Sequence, residues 1–206
     1  DEDHISGIRG LFQMYGETGI EIGCLFLPDV AQECRDAAYH GLEEQAREAG
    51  VPVRYLHAGD RLESTNIMLT CLHPVENYVN QDTNACSTVL CLTYGSFSAL
   101  FTGDLEGEGE RLVTERLSNM GGSSITLLKT AHHGSKNATK EPFLELVNPQ
   151  MALISAGRDN SYGHPHKETL ERLADRGCRI YQTPESGAVT VRVKDGAVRV
   201  ETFLGR

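Results

Sequence analysis

At 206 residues and 39% hydrophobic content, the chain can bury a real core in one domain or slightly more. It contains no apolar run of about 18 residues that could span a membrane, and no basic-then-apolar opening that would mark a signal peptide. A net charge of -10 and a pI near 5.2 argue against a simple electrostatic nucleic-acid binder, which carries a basic patch; cations bound in a metal site would add positive charge that this count omits.

The chain opens Asp1-Glu2-Asp3-His4-Ile5-Ser6-Gly7, without Met or a capping run, and reads as the middle of a longer polypeptide. Residues 20–27 form a short apolar run closed by Pro28-Asp29, the pattern of a strand. Over 30–49, Cys34, Ala38, Leu42 and Ala46 recur at helical spacing opposite a charged face, and Gly50 ends the helix. Residues 51–56 give another strand. This β-α-β order predicts parallel pairing and an α/β architecture.

From residue 67 the texture changes to short strands and turns. A strand over 67–72 leads into His73-Pro74 and a polar loop, and strands over 87–94 and 97–102 flank Gly95-Ser96, a link suited to a tight hairpin. A helix is expected over 108–120 with Val113, Leu117 and Met120 on one face, then a strand over 125–130. Thr139 is placed to cap a helix running to residue 147. After a strand over 151–155 and a polar loop, Pro165 suits the first turn of a helix carrying Leu170, Leu173 and Ala174. A strand over 179–182 follows, and alternating valines around Asp195-Gly196 predict a final hairpin. No repeat, low-complexity tract or linker interrupts this order, so residues 1–206 read as one α/β unit or a large part of one.

Six cysteines are scattered without C-x-x-C spacing, which excludes a zinc ribbon or thioredoxin-like site and predicts buried free thiols. The chemistry-bearing residues lie elsewhere. Asp1, Asp3 and His4 offer carboxylate and imidazole ligands for a divalent metal, although a charged terminus can equally be a solvated tail. Asp104 ends an apolar strand at Thr102-Gly103-Asp104. There a carboxylate is costly unless paired or bound to a cation, and capping the next helix is the competing use. His132 and His133 close the strand over 125–130. In an extended segment their rings would point to opposite faces, so His132 is preferred as ligand and His133 as a neighbour facing substrate. His164 and His166 flank Pro165 at a helix start, where they could face an anion or merely cap. His73, His40 and His57 are not counted as ligands. No G-x-S-x-G elbow, P-loop or dinucleotide fingerprint is present.

Taken together, Asp1 to Gly7, Asn84-Ala85-Cys86-Ser87-Thr88, Phe101-Thr102-Gly103-Asp104, Leu128 to Ser135, Ser155-Ala156-Gly157-Arg158 and Tyr162-Gly163-His164-Pro165-His166 resemble the metallo-β-lactamase-fold hydrolases. The nearest branch is the soluble C-terminal domain of ComEC-type competence proteins. The resemblance implies an αββα sandwich holding two divalent ions, Mn²⁺ or Zn²⁺, with Asp1, Asp3 and His4 matching the last named positions of an H-x-D-x-D-H motif. The leading His and the strands before it would precede residue 1, so the chain is expected to be an N-terminally truncated form of the domain and this fragment to be inactive or incomplete. Asp104 would bridge the metals and His132 would complete the second site, making Asp3, Asp104 and His132 the catalytic set. Asn84 stands where many relatives carry a histidine; with Lys129, His133, Ser135, Arg158, His164 and His166 it is a candidate for holding substrate. The implied activity is phosphodiester hydrolysis of DNA, single-stranded and not imported, beside the membrane channel of the same parent polypeptide and within the competence uptake machinery. The alternatives are a same-fold hydrolase of a small ester or phosphodiester, and a non-catalytic module associated with the channel.

Overall fold

The structure, a computed structural model, describes residues 2–14, 20–122 and 124–205. Its largest element is a seven-stranded sheet in which spatial order follows sequence order: β3 (Arg61–Ser64), β4 (Ile67–His73), β5 (Val89–Tyr94), β6 (Phe97–Phe101), β7 (Leu127–Lys129), β8 (Met151–Ile154) and β9 (Arg179–Gln182). The first four run antiparallel, with two-residue links joining β3 to β4 and β5 to β6 and a longer loop over 74–88 joining β4 to β5. Tyr94 pairs with Phe97 across the two-residue link, the hairpin expected from Gly95-Ser96. From β6 to β9 the pairing is parallel, because α3 (Gly107–Asn119), α4 (Glu141–Val147) and α5 (Lys167–Asp175) carry the chain back between successive strands.

Side-chain alternation along these strands separates two cores. Leu100, Leu128 and Ala152 face the helices and pack with Val113 and Leu117 of α3, Phe143 and Leu144 of α4, and Leu173 of α5. Their immediate neighbours Ala99, Leu127 and Met151 face the other way, with Phe97, toward Val191, Val193 and Val200 of the terminal hairpin. That hairpin, β10 (Val189–Lys194) with β11 (Ala197–Thr202), turns at Asp195-Gly196, both at positive φ, as the sequence anticipates. A third cluster unites Ile5, Ile8 and Phe12 of α1 (Glu2–Met14) with Leu42 and Ala46 of α2 (Ala37–Glu48). It also includes Leu25 and Leu27 of β1 (Leu25–Pro28) and Val53 of β2 (Val53–Leu56), which pair in parallel around α2 as the β-α-β order predicts. Among the described residues the strands outside the large sheet form two two-stranded pieces rather than one broad second sheet. No helix of the described residues is long and apolar enough to cross a membrane.

Several boundaries differ from expectation, each for a local reason. The helix expected over 30–49 begins at Ala37, because Asp36 accepts from Tyr39 N at 2.8 Å and caps it there. Upstream, Val30 bridges to Tyr78 and residues Gln32–Cys34 make only a 3₁₀ turn. Met120 lies past the end of α3 and is 64% exposed, off the face formed by Val113 and Leu117. Thr139 does not cap α4. Lys140 holds that position, and the buried Glu110 carboxylate of α3 reaches across to accept from the backbone N–H groups of both Thr139 and Lys140. Pro165 precedes α5 by two residues rather than occupying its first turn. All six cysteines are free thiols, but only Cys71 and Cys178 are buried and the other four are half-buried. Burial pushes Cys71, Cys86 and Cys178 up to about 11, so none is a ready thiolate.

His73, at the end of β4, is a core histidine. Its Nε2–H donates to Ala85 O at 2.8 Å, and its ring meets Tyr78 edge-on at 4.8 Å. Burial lowers its pKa, with the bond to Ala85 opposing. The neutral ring is therefore the folded form, and its stabilisation is complete above the unfolded value of about 6.5 and is lost as pH falls through the lower folded value. Urea midpoints should accordingly drop between about pH 7.5 and about pH 5.5, and His73→Asn should show a shallower drop. An equally steep pH dependence in the variant would remove His73 from this role.

Candidate metal centre

Parallel pairing of β6, β7 and β8 brings their C-terminal ends to one edge of the sheet, the position where open α/β sheets place ligands. Phe101 is level with Lys129, and Lys129 with Leu153, so the three loops that follow emerge side by side. Thr102 Oγ1 donates to Lys129 O at 2.6 Å, His132 N to Gly103 O at 3.1 Å, and Thr130 N to Leu153 O at 2.9 Å. The first two bonds fasten the Asp104 loop to the histidine loop, and the third ties the histidine loop to β8.

The histidine loop is not extended. His132 and His133 have φ of 44° and 52°, a left-handed conformation uncommon for residues other than glycine. The premise that their rings diverge across an extended strand therefore fails, and both rings lie on the Asp104 side, with centroids 6.2 Å apart. His133 Nδ1–H donates to Ser155 O at 2.7 Å, which leaves the Nε2 lone pair facing the carboxylates. That nitrogen lies 3.1 Å from Asp3 Oδ2 and 3.6 Å from Asp104 Oδ1.

From the opposite side, the first turn of α1 supplies Asp3 and His4. His4 Nε2 is 3.2 Å from Asp104 Oδ1 and 3.4 Å from His133 Nε2. One donor atom from each of Asp3, His4, Asp104 and His133 falls within 4.8 Å of the others. His132 approaches Asp104 through the other carboxylate oxygen: its Nε2 is 3.9 Å from Oδ2, while its Nδ1 is bound to Glu106 Oε1 at 2.7 Å. Asp104 thus sits between two imidazole groups, with His4 and His133 toward one oxygen and His132 toward the other. His133, rather than the expected His132, joins the tightest group, and Asp1 lies outside the described residues.

This donor set fits a divalent cation. Asp104 is 7% exposed and its Oδ1 is buried without a well-formed hydrogen bond, although two imidazole nitrogens converge on it. Burial pushes its pKa up, but the His4 imidazole and the charges of His133 and His132 outweigh this and hold it below the ordinary carboxylate value. His4 is raised, chiefly by Asp104, against its own burial. Two carboxylates and two imidazoles are an O/N set suited to Zn²⁺ or Mn²⁺. Asp104 does not cap α3: Glu106 holds the N-cap position and turns its side chain to His132 instead.

The candidate substrate residues separate. His164 joins the cluster, with its ring 5.4 Å from His132 and 6.3 Å from His133. Burial and then the neighbouring imidazoles of His166, His132 and His133 lower its pKa. His166 stands next, 4.9 Å from His164, with Nδ1 accepting from Lys136 N. Asn84 lines a cavity of about 340 Å³ that runs from His4 and Asp104 past Ile8 and Leu42. Lys129 is held inward, its ammonium donating to Thr130 O, and burial lowers its pKa against the pull of Asp104. Ser135 is buried and its hydroxyl accepts from Asn137 N, so it shapes the turn. Arg158 donates to Pro184 O, away from the cluster. Glu106 is the residue that sequence reading passed over. Two positions after Asp104 and just before Gly107, it looks like a helix-start acid, and only the fold brings it to His132.

No family model matches the chain. In sequence it is 37% identical over 203 residues to ComE operon protein 3 of Bacillus subtilis, an alignment covering 98% of this chain and 24% of that protein. Over 201 residues it is 28% identical to competence protein ComA of Neisseria gonorrhoeae, covering 98% of this chain and 25% of that protein. The chain therefore spans about a quarter of the length of these relatives. In structure it resembles YhfI of Bacillus subtilis, a metallo-β-lactamase-fold protein, at TM-score 0.54 and 12% identity, over 97% of this chain and 73% of that one. The chain thus has the metallo-β-lactamase fold and is similar, over nearly its whole length, to about a quarter of ComE operon protein 3 and of competence protein ComA.

Proposed function

We propose that this domain is a metal-dependent phosphodiesterase that cleaves single-stranded DNA, acting on the strand that is not imported during competence-linked uptake. The observation that carries the reading is the convergence of Asp3, His4, Asp104 and His133 on one point at the C-terminal edge of the sheet, in a chain whose sequence relatives are named for competence. When bound there, divalent ions polarise a phosphoryl oxygen and lower the pKa of water. The chain's own residues do the rest. Ser155 and Glu106 fix the two histidine rings through their Nδ1 atoms, Asp104 presents one oxygen to each imidazole group, and His164 supplies a ring beside both. In this reading the membrane channel of the parent polypeptide supplies the basic track that an acidic domain lacks, and Mn²⁺ rivals Zn²⁺ because two of the four donors are carboxylates.

The test is a substrate panel with Mn²⁺ or Zn²⁺ added. Single-stranded DNA should be cut while small carboxylic and phosphate esters are ignored. Ester hydrolysis without DNA cleavage would assign a small-substrate hydrolase of the same fold. A protein that neither binds nor responds to metal would be the non-catalytic, channel-associated module.

A further inference from the structure

The geometry points to a nucleobase-stacking subsite headed by Tyr162, which would hold a base flanking the phosphodiester at the metal centre; this rests on the nucleic-acid reading above. Tyr162 is 77% exposed, yet its ring is not loose. It lies offset-parallel to His164, with centroids 5.8 Å apart and planes 22° apart. His164 in turn lies offset-parallel to His133 at 6.3 Å and 20°. Three rings therefore run in near-parallel succession from solvent to a member of the metal-ligand group, and the outermost face is open.

The loop that carries Tyr162 is fastened at several points. Asn160 donates from Nδ2 to Gly157 O at 2.8 Å and to His164 O at 2.6 Å, and accepts from His164 N at 2.9 Å. Downstream, His166 N donates to Gly134 O at 3.0 Å. Pro165 packs so closely on Gly134 that a Cβ there would come within 2.6 Å of the proline Cβ. The loop is thus bound to the histidine turn itself. An exposed aromatic held in this way incurs little ordering entropy on binding. Tyrosine offers a flat apolar face to any base, because every base has a π-face. A lysine-poor, acidic surface also leaves stacking, rather than phosphate neutralisation, to supply non-electrostatic affinity.

The experiment uses the 206-residue protein, without added metal for binding and with Mn²⁺ for turnover. The probes are a single-stranded oligonucleotide carrying 2-aminopurine and a matched abasic oligonucleotide. Wild type should quench the 2-aminopurine fluorescence on binding. Tyr162→Ala should lose the quench and bind the base-bearing strand roughly tenfold more weakly, with abasic binding unchanged, while Tyr162→Phe should retain both properties. Equal losses on base-bearing and abasic strands, unchanged binding in Tyr162→Ala, or no strand binding by wild type would overturn the subsite. Quenching that depends on Tyr162 in a protein that never cleaves would keep the subsite and remove the nuclease reading. Cleavage indifferent to Tyr162 would do the reverse.

Discussion

Asp104→Ala is expected to abolish metal-dependent cleavage and to cut metal affinity more than any other single change in the site. Among the described residues, Asp104 is the carboxylate placed between His4 and His133 on one oxygen and His132 on the other. Removing an outer partner of a metal ligand costs roughly 10–100-fold; a shared donor should exceed that. The fold should survive. Asp104 N donates to Ser87 Oγ through its backbone, a bond that the substitution keeps, and the imidazoles that face the carboxylate are partly exposed and can turn to solvent. The measurement pairs calorimetric metal titration with single-turnover cleavage, using thermal melting as the control for folding. His133→Ala should reduce metal affinity more than His132→Ala, since His133 stands in the tight donor group and His132 at its margin. Full activity in Asp104→Ala would sink the site assignment altogether.

The largest stability effect is expected from Gly109→Ala. Gly109 is buried in the first turns of α3, where a Cβ would run into Ala85 O and stand 2.8 Å from Leu105 Cδ1. The obstacle is backbone, and it cannot yield easily: the same Ala85 carbonyl accepts the buried His73 bond. Overpacking of this kind costs about 3 kcal/mol, against which the better helix propensity of alanine returns up to about 1 kcal/mol. A fall in melting temperature of roughly 5–10 °C is the expected result for a chain of this size. Gly41→Ala is the matched comparison. It too lies inside a helix, but nothing stands within 4 Å of its Cβ position, so stability should rise by about 0.4–1 kcal/mol. Equal shifts at the two positions would show that helix propensity, not the Ala85 contact, governs Gly109. Because Asn84 and Cys86 flank Ala85 and line the cavity beside His4 and Asp104, Gly109→Ala should also disturb that wall.

Much of this was legible in the residues, and the failures have physical causes. Strands such as Arg179–Gln182 and the terminal hairpin were readable because alternation and turn chemistry are local signals. Asp3 and His4 stood out as a dense group of ligand types at the charged start of the chain, and Asp104 as a carboxylate at the end of an apolar strand. The roles of His132 and His133 were not readable, because they depend on two positive φ values that no periodicity encodes. The same is true of Glu106 on His132 and of Glu110 on the start of α4. In each case a carboxylate meets a partner from another loop or helix, and its own neighbourhood looks like an ordinary helix start. Ser135 carries the right chemistry for phosphate, but its hydroxyl accepts from Asn137 N within its own turn, and Arg158 directs its Nε to Pro184 O.

The ligand cluster also bears on how the molecule assembles. Strands β3 to β9 each pair with their neighbour in sequence, so the large sheet can grow stepwise, one connection at a time. His133 and Asp3, by contrast, meet across 130 positions. Their contact can form only after α1 has come back to a sheet edge that already exists. A cation held by Asp3, His4, Asp104 and His133 would therefore act as a clasp on the first helix, adding about 2.7 kcal/mol to its docking at a hundredfold excess over the dissociation constant. The candidate metal centre would then be the last part of the chain to close, and the ion would hold it closed.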